Sequence, residues 1–533
     1  MTRCCHLSRR EILAWGATVA ASPFLSGLAD PERAYGLTRQ AVASGFTAYN
    51  LELVTLTETT AIVTWVTGDP TRPDALGRPA PVPTDTSVLL GTSAGTLREV
   101  ASAATRTPYH YAEITGLEPG QTYFFVARSD GVAATPSAFA FGGPFGTSTL
   151  GAGPSGPFSF VTPQPPRGNF LFSVVLCNDL HLGETVAGLA TSQQGFDIPP
   201  GIRQRDGEPP YPEVMARALA DEARARGGHI LLAAGDVTGE ASTMETTAAK
   251  SFLDRFGSLG SDYLVARGNH DRPHTGDKSG SCRPVPSPPG YHDCFADAFF
   301  PTGPTWFSNE IGGLRIIGLD TYDKIGNGGD NGIMSAPQFG FVRDTLAAAP
   351  EQPTIVFGHH PVTLESSSTT VVPVIFDLDQ TQARELEALY AASPGVFLHH
   401  AAHTHRNKLT VSAGAPNVVF QEVAAVKEYP GGFHLLRVHS GGYALNFYKF
   451  RSPMAQEWSE RSRPEYAGTS PSYVFGNARD RNSVTNVDLS GLTAPAATVP
   501  ELGGAGALAV GGVALAGAAL MAHHSRSRRD PPS

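Results

Sequence analysis

Five short apolar runs each end in residues that bind metals, and that pattern constrains the chain more than any other feature. Phe170-Leu171-Phe172-Ser173-Val174-Val175 leads into Leu176-Cys177-Asn178-Asp179-Leu180-His181. Ile230-Leu231-Leu232 leads into Gly235-Asp236, and Tyr263-Leu264-Val265 into Gly268-Asn269-His270-Asp271. Thr354-Ile355-Val356-Phe357 runs into Gly358-His359-His360-Pro361, and Val396-Phe397-Leu398 leads to His403-Thr404-His405. Short apolar runs bounded by turns read as buried strands. Open α/β sheets hold ligands beyond the carboxyl ends of their strands, so the pattern predicts a metal site at one sheet edge. A single Asp-x-His or Gly-Asp is an ordinary turn; tight turns explain one or two such motifs, not five in order.

At 533 residues the chain is too long for one core, and two or three domains are expected. A formal charge of −10 argues against nonspecific nucleic-acid binding, so no nucleic-acid partner is expected. Ser8-Arg9-Arg10-Glu11 precedes the apolar stretch from Ala14 to Leu28, the layout of a twin-arginine signal peptide over residues 1–30. The expected partner there is the Tat export machinery, which carries proteins folded. Cys4 and Cys5 leave with that segment. Cys282 and Cys294 bracket a Pro/Gly-rich loop as either a disulfide or two free thiols, and Cys177 is expected in the core. Residues 502–522 are uncharged and rich in Ala, Gly, Val and Leu, with Arg526, Arg528 and Arg529 beyond them. They read as a C-terminal transmembrane anchor, with a disordered Ala/Gly tail as the alternative. The expected location is therefore extracellular or cell-envelope, with anchoring at the C-terminus.

Residues 46–165 read as all-β. Ala61-Ile62-Val63-Thr64-Trp65-Val66, Val88-Leu89-Leu90 and Tyr109-His110-Tyr111 carry the β-branched and aromatic residues of strands. Glu118-Pro119-Gly120-Gln121-Thr122-Tyr123 resembles the fibronectin type III corner, where a tyrosine bonds back across a turn. That resemblance makes Trp65 the buried tryptophan, and Phe158–Val161 a strand closing the sandwich. From 168 to 450 strands alternate with amphipathic helices expected over Pro212–Gly227, Thr246–Phe256, Pro337–Ala349 and Gln380–Ala392. Long polar segments at Glu184–Pro210 and Arg272–Gly290 follow two of the motifs and read as substrate-side loops. Gly432–Val438 and Tyr443–Phe450 read as two further strands. Residues 451–500 show little signal and are expected to be linker or tail.

Asp-x-His, Gly-Asp, Gly-Asn-His-Asp, His-x-Pro and His-x-His, in this order, resemble the calcineurin-like metallophosphoesterase superfamily, and the domain in front resembles that of purple acid phosphatases. The resemblance implies an α/β (α+β) fold, a four-layer αββα sandwich behind an all-β fibronectin type III-like sandwich. It implies Asp179, His181 and His405 on one metal, Asp236 bridging, and Asn269, His359 and His403 on a second. His270 would give a proton to the leaving group or steady phosphoryl charge, with Asp271 orienting it. The cofactors implied are two divalent ions, Mn, Fe or Zn. His360, His399, His400 and His434 are expected near the site or at the surface, not as ligands. Purple acid phosphatases carry a tyrosine three residues after the bridging aspartate; here Gly239 stands there, so a colourless centre without obligatory Fe(III) is expected. The activity implied is hydrolysis of phosphate mono- or diesters, small-molecule or phosphodiester substrates alike, with a metal-activated water. The alternative is a surface-displayed, non-catalytic protein that binds metal or a partner on the same scaffold.

Overall fold

In the computed structural model, residues 45–73, 78–136, 138–139, 150–151, 154–188, 202–272, 293–323, 330–370, 376–464 and 471–495 are described. Strands β1 (Thr47–Leu56), β2 (Thr60–Pro73), β3 (Thr84–Gly91), β4 (Arg98–Thr107), β5 (Tyr109–Thr115), β6 (Thr122–Ser129) and β7 (Phe158–Val161) build the N-terminal sandwich. One sheet joins β1, β2 and β5; the other runs β7-β6-β3-β4. Alternate residues of both sheets, among them Val63, Trp65, Val88, Leu90, Ile114 and Phe125, meet in one core. The Tyr123 hydroxyl accepts a hydrogen bond from the Glu118 amide at 2.9 Å, which is the expected corner. Trp65 is buried, donates to Ser129 Oγ at 2.9 Å and stacks on His110.

In the larger domain, side-chain alternation sets the layers. Strands β8 (Arg167–Cys177), β9 (Ile230–Ala233) and β10 (Tyr263–Val265) are parallel neighbours in a five-stranded sheet. Strands β11 (Phe307–Ile311), β12 (Leu314–Gly318), β13 (Thr354–Phe357), β14 (Val396–Ala401), β15 (Lys408–Val411) and β16 (Val419–Glu422) form a six-stranded one, ordered β11-β12-β13-β14-β16-β15. The first sheet is completed by β17 (Gly432–Lys449) and β18 (Asn482–Thr485), in the order β10-β9-β8-β17-β18. Val174, Leu176, Ile230 and Leu232 point between the sheets onto Ile355 and Phe357. Val175, Cys177, Leu231 and Ala233 point outward onto helices α1 (Tyr211–Ala225) and α2 (Thr243–Leu253). On the far side Ile317 and Val356 pack on α3 (Ala336–Ala348) and α4 (Gln380–Ala391). The result is helix, sheet, sheet, helix, with the parallel strand ends at one rim.

The helix expected from Thr246 begins earlier, because Ser242 and Glu245 form a capping box that fixes the first turn. The two antiparallel strands expected at Gly432–Val438 and Tyr443–Phe450 are the two arms of β17, which folds back on itself: Phe450 N donates to Gly431 O at 3.3 Å, and the Phe433 and Tyr448 rings lie 6.0 Å apart. The chain reverses near Gly441, where a Cβ would meet Arg167 Cβ and O at 2.9 Å, so glycine is also needed for strand β8 to approach. The linker expected over 451–500 is also corrected. Helix α5 (Pro453–Ser462) buries Trp458, and β18 extends the first sheet. Periodicity missed this segment because long polar side chains hold it: Arg481 Nη2 donates to Leu53 O at 2.8 Å, and Arg463 pairs with Glu52.

Cys177 is free and buried, and Cys294 is disulfide-bonded. Residues 1–30, Cys282, 502–522, residues 189–201 of the first long polar segment and all of the second beyond Arg272 lie outside the described residues; in the first long polar segment, Val186-Ala187 pairs with Ile202-Arg203. No helix among the described residues is long and apolar enough to cross a membrane.

Candidate metal centre

The rim of the first sheet is knitted together by main chain. Beyond β8, the Asp179 amide donates to Gly235 O and the His181 amide to Asp236 O, both at 3.0 Å, and Leu182 N donates to Val237 O at 3.1 Å. Asp179, His181, Asp236, His403 and His405 all have left-handed backbone, with φ between 46° and 64°. Non-glycine residues there cost roughly 1–3 kcal/mol each and persist where surrounding structure imposes them, a pattern that concentrates at functional sites. Gly268 allows the approach: a Cβ on it would fall 2.1 Å from Asp236 Oδ1.

The side chains converge in two linked groups. Asp179, His181 and His405 form one, and Asp236, His359 and His403 the other, the donor atoms in each lying within 4.8 Å of one another. Asp179 Oδ1 is 3.2 Å from His405 Nε2 and 3.7 Å from His181 Nε2. Asp236 Oδ2 is 3.1 Å from His359 Nε2 and 3.5 Å from His181 Nε2, so one carboxylate oxygen reaches both groups. His359 Nε2 lies 3.0 Å from His403 Nδ1. Asn269 sits between Gly268 and His270, whose amide donates to Asp236 Oδ1 at 2.9 Å. Its buried Oδ1 has no hydrogen-bond partner, and neither do Asp179 Oδ1 and His403 Nε2. Buried polar atoms are normally satisfied, so these orphans, with a mixed carboxylate, amide and imidazole donor set, fit divalent Mn, Fe or Zn.

Burial opposes ionisation of Asp179 and Asp236, yet facing imidazoles, chiefly His405 and His359 respectively, hold both well below the usual carboxylate range. Burial lowers the pKa of His181 and Lys427 adds to that, but Glu184, Asp179 and Asp236 outweigh them and raise it. The outer nitrogens are fixed in turn. His359 Nδ1 lies 2.9 Å from Ala234 O, an atom that can only accept, so Nδ1 carries the proton and Nε2 is left for the site. His181 Nδ1 is 2.8 Å from Glu184 Oε2, and His405 Nδ1 is 2.5 Å from Glu428 Oε1. Such carboxylate partners orient metal-binding histidines.

His270 Nδ1 is 2.7 Å from Gly239 O, and its ring lies 4.5 Å from that of His181. The same distances admit His270 into a third group with His181 and Asp236. Asp271 does not orient it. Its Oδ1 accepts from Thr238 N and Oγ1, both at 2.9 Å, and its Oδ2 from Gly268 N at 3.0 Å. Side chains of adjacent residues in a turn diverge; Asp271 braces the loops, and the Gly239 carbonyl takes the orienting role. His360, His399, His400 and His434 are all buried, so none lies at the surface. His360 Nδ1 is 2.7 Å from Thr321 Oγ1, and His434 Nε2 is 3.0 Å from Asn407 Oδ1. Burial brings His399 to about 3 and His400 to about 4.

Residues 172–407 match the calcineurin-like phosphoesterase family model, and residues 47–141 match the purple acid phosphatase N-terminal domain. The chain carries a calcineurin-like phosphoesterase domain. Curated proteins give no match. Among solved structures, a purple acid phosphatase from yellow lupin (Lupinus luteus) seeds is 15% identical, covering 76% of this chain and 72% of its own, with a TM-score of 0.34. A dimetal phosphatase from Danio rerio is 13% identical, covering 52% of this chain and 96% of its own, with a TM-score of 0.38.

Within the phosphoesterase domain, sequence reading missed Glu184, Glu428, Lys427 and the Gly239 carbonyl. Glu184 carried a weak signal, three residues after His181. Glu428 carried none, because only the fold brings it to His405.

Proposed function

We propose that the protein is a metal-dependent phosphoesterase that hydrolyses phosphate mono- or diesters. The observation that carries this is the reach of Asp236 Oδ2 to histidines of both groups, which fits a carboxylate shared by two ions. Asp179, His181 and His405 would hold one ion, and Asn269, His359 and His403 the other. Two such ions, when bound, supply positive charge against the phosphoryl oxygens and lower the pKa of water. Water adds to phosphorus, the ester P–O bond breaks, and the departing oxygen takes a proton. His270, as the doubly protonated imidazolium, would give that proton from Nε2 and return to the neutral ring, since its Nδ1–H is held by Gly239 O. The twin-arginine segment and residues 502–522 support export of the folded protein and tethering at its C-terminus.

Metal analysis, with turnover of p-nitrophenyl phosphate and bis-p-nitrophenyl phosphate, tests the reading. Asp236→Asn should abolish turnover and reduce metal content. Retained activity in that variant would rule out the shared-carboxylate role. A non-catalytic binding module would load metal and turn over neither ester. A reporter fused after residue 30 would test export, which should fail when Arg9 and Arg10 become lysine.

A further inference from the structure

We infer that Lys427 is a positioning residue for one of the two metal positions, that of Asp179, His181 and His405; this rests on the metal-centre reading above. Its Nζ lies 2.7 Å and 2.8 Å from the two oxygens of Glu184 and 3.6 Å from Glu428 Oε2. Those two carboxylates are the ones that face His181 Nδ1 and His405 Nδ1. One buried ammonium, its side chain 5% exposed, therefore ties together the partners of both histidines. Its main chain is fixed to the same motif, because the Lys427 amide donates to Asp179 O and the Val426 amide to Asn178 O, each at 3.1 Å.

Helix α5 braces the arrangement from behind. Trp458 Nε1 donates to Lys427 O at 2.6 Å, and the indole stacks on Tyr211 with ring centroids 3.9 Å apart. Tyr211 in turn donates a hydrogen bond from its hydroxyl to Glu184. The other position is built differently: His359 is oriented by the Ala234 carbonyl, with no part in the Lys427 contacts. Lys427 should therefore act on one position and not the other.

Coulomb's law gives a sign that separates positioning from mere charge. Deleting a cation near a dication should tighten that ion's binding; losing the clamp on two histidine partners should loosen it, by about 10–100-fold for residues in this role. The experiment loads the full chain with Zn²⁺ and follows its release to a chelator. In Lys427→Met, one of two release phases should quicken by about 10–100-fold while the other is unchanged. Lys427→Arg, which keeps the charge and its donors, should restore the slow phase. Glu184→Gln, which keeps the shape of the side chain, should quicken the same phase and covers the case in which Lys427→Met does not fold. Slower release, equal change in both phases, or no change would overturn the assignment. Failure of the metal-centre reading looks different: the wild-type chain would hold no Zn²⁺, or Asp236→Asn would release it unchanged.

Discussion

Arg463 Nη2 lies 2.6 Å from Glu52 Oε1, and that contact joins the segment after helix α5 to the first strand of the sandwich. Lys449 Nζ lies 3.1 Å from the other carboxylate oxygen, and the Tyr429 hydroxyl donates to Glu52 at 2.5 Å. Removing one member of such a buried set strands the others. Glu52→Ala should therefore destabilise the chain by about 3–5 kcal/mol, read by denaturant unfolding.

The same carboxylate predicts an acid response. Burial would raise its pKa from the ordinary 4.5, but Arg463 and Lys449 outweigh burial and bring it to about 2. A folded-state pKa below the unfolded one means stability that is full above about 4.5 and is lost as pH falls towards 2. Stability of the wild type should fall more steeply across that window than that of Glu52→Gln. Parallel acid-unfolding curves would refute this.

Trp65 is 1% exposed between the two sheets of the sandwich. Trp65→Ala should cost about 3–5 kcal/mol through the cavity left and the loss of the His110 stack. Calorimetry or chemical denaturation would measure it.

A chain ending at Phe450 should fail to fold, since it lacks Trp458, Arg463, Arg481 and strand β18. Resistance to proteolysis equal to that of the full chain would show the segment to be dispensable.

His270→Ala should lower turnover by about 10²–10⁴-fold. Metal content should stay near that of the wild type if His270 works as an acid; a matching fall in bound metal would mean that it is a ligand, the placement its distances also admit.

How much of this was readable in the sequence depends on what kind of contact each residue makes. Asp179, Asp236, His359 and His405 stand directly after apolar strands, so one rule about strand ends located them. Tyr123 and Trp65 were legible for a similar reason, each tied to a local turn or strand. Lys427 and Glu428 follow no fixed spacing and meet their partners through tertiary packing alone. Asp271 misled because it is next to His270 in sequence while its carboxylate faces Thr238 and Gly268. Residues 453–495 lacked an apolar stripe because arginine side chains and scattered apolar residues such as Trp458, Val474, Leu489 and Leu492 do the packing.

The amides of Asp179, His181 and Leu182 are bonded to the neighbouring loop by main chain alone. The loops that present the donors are therefore held to each other by backbone hydrogen bonds. Stripping the ions should leave those amides slow to exchange, and reloading should proceed as simple capture rather than as refolding.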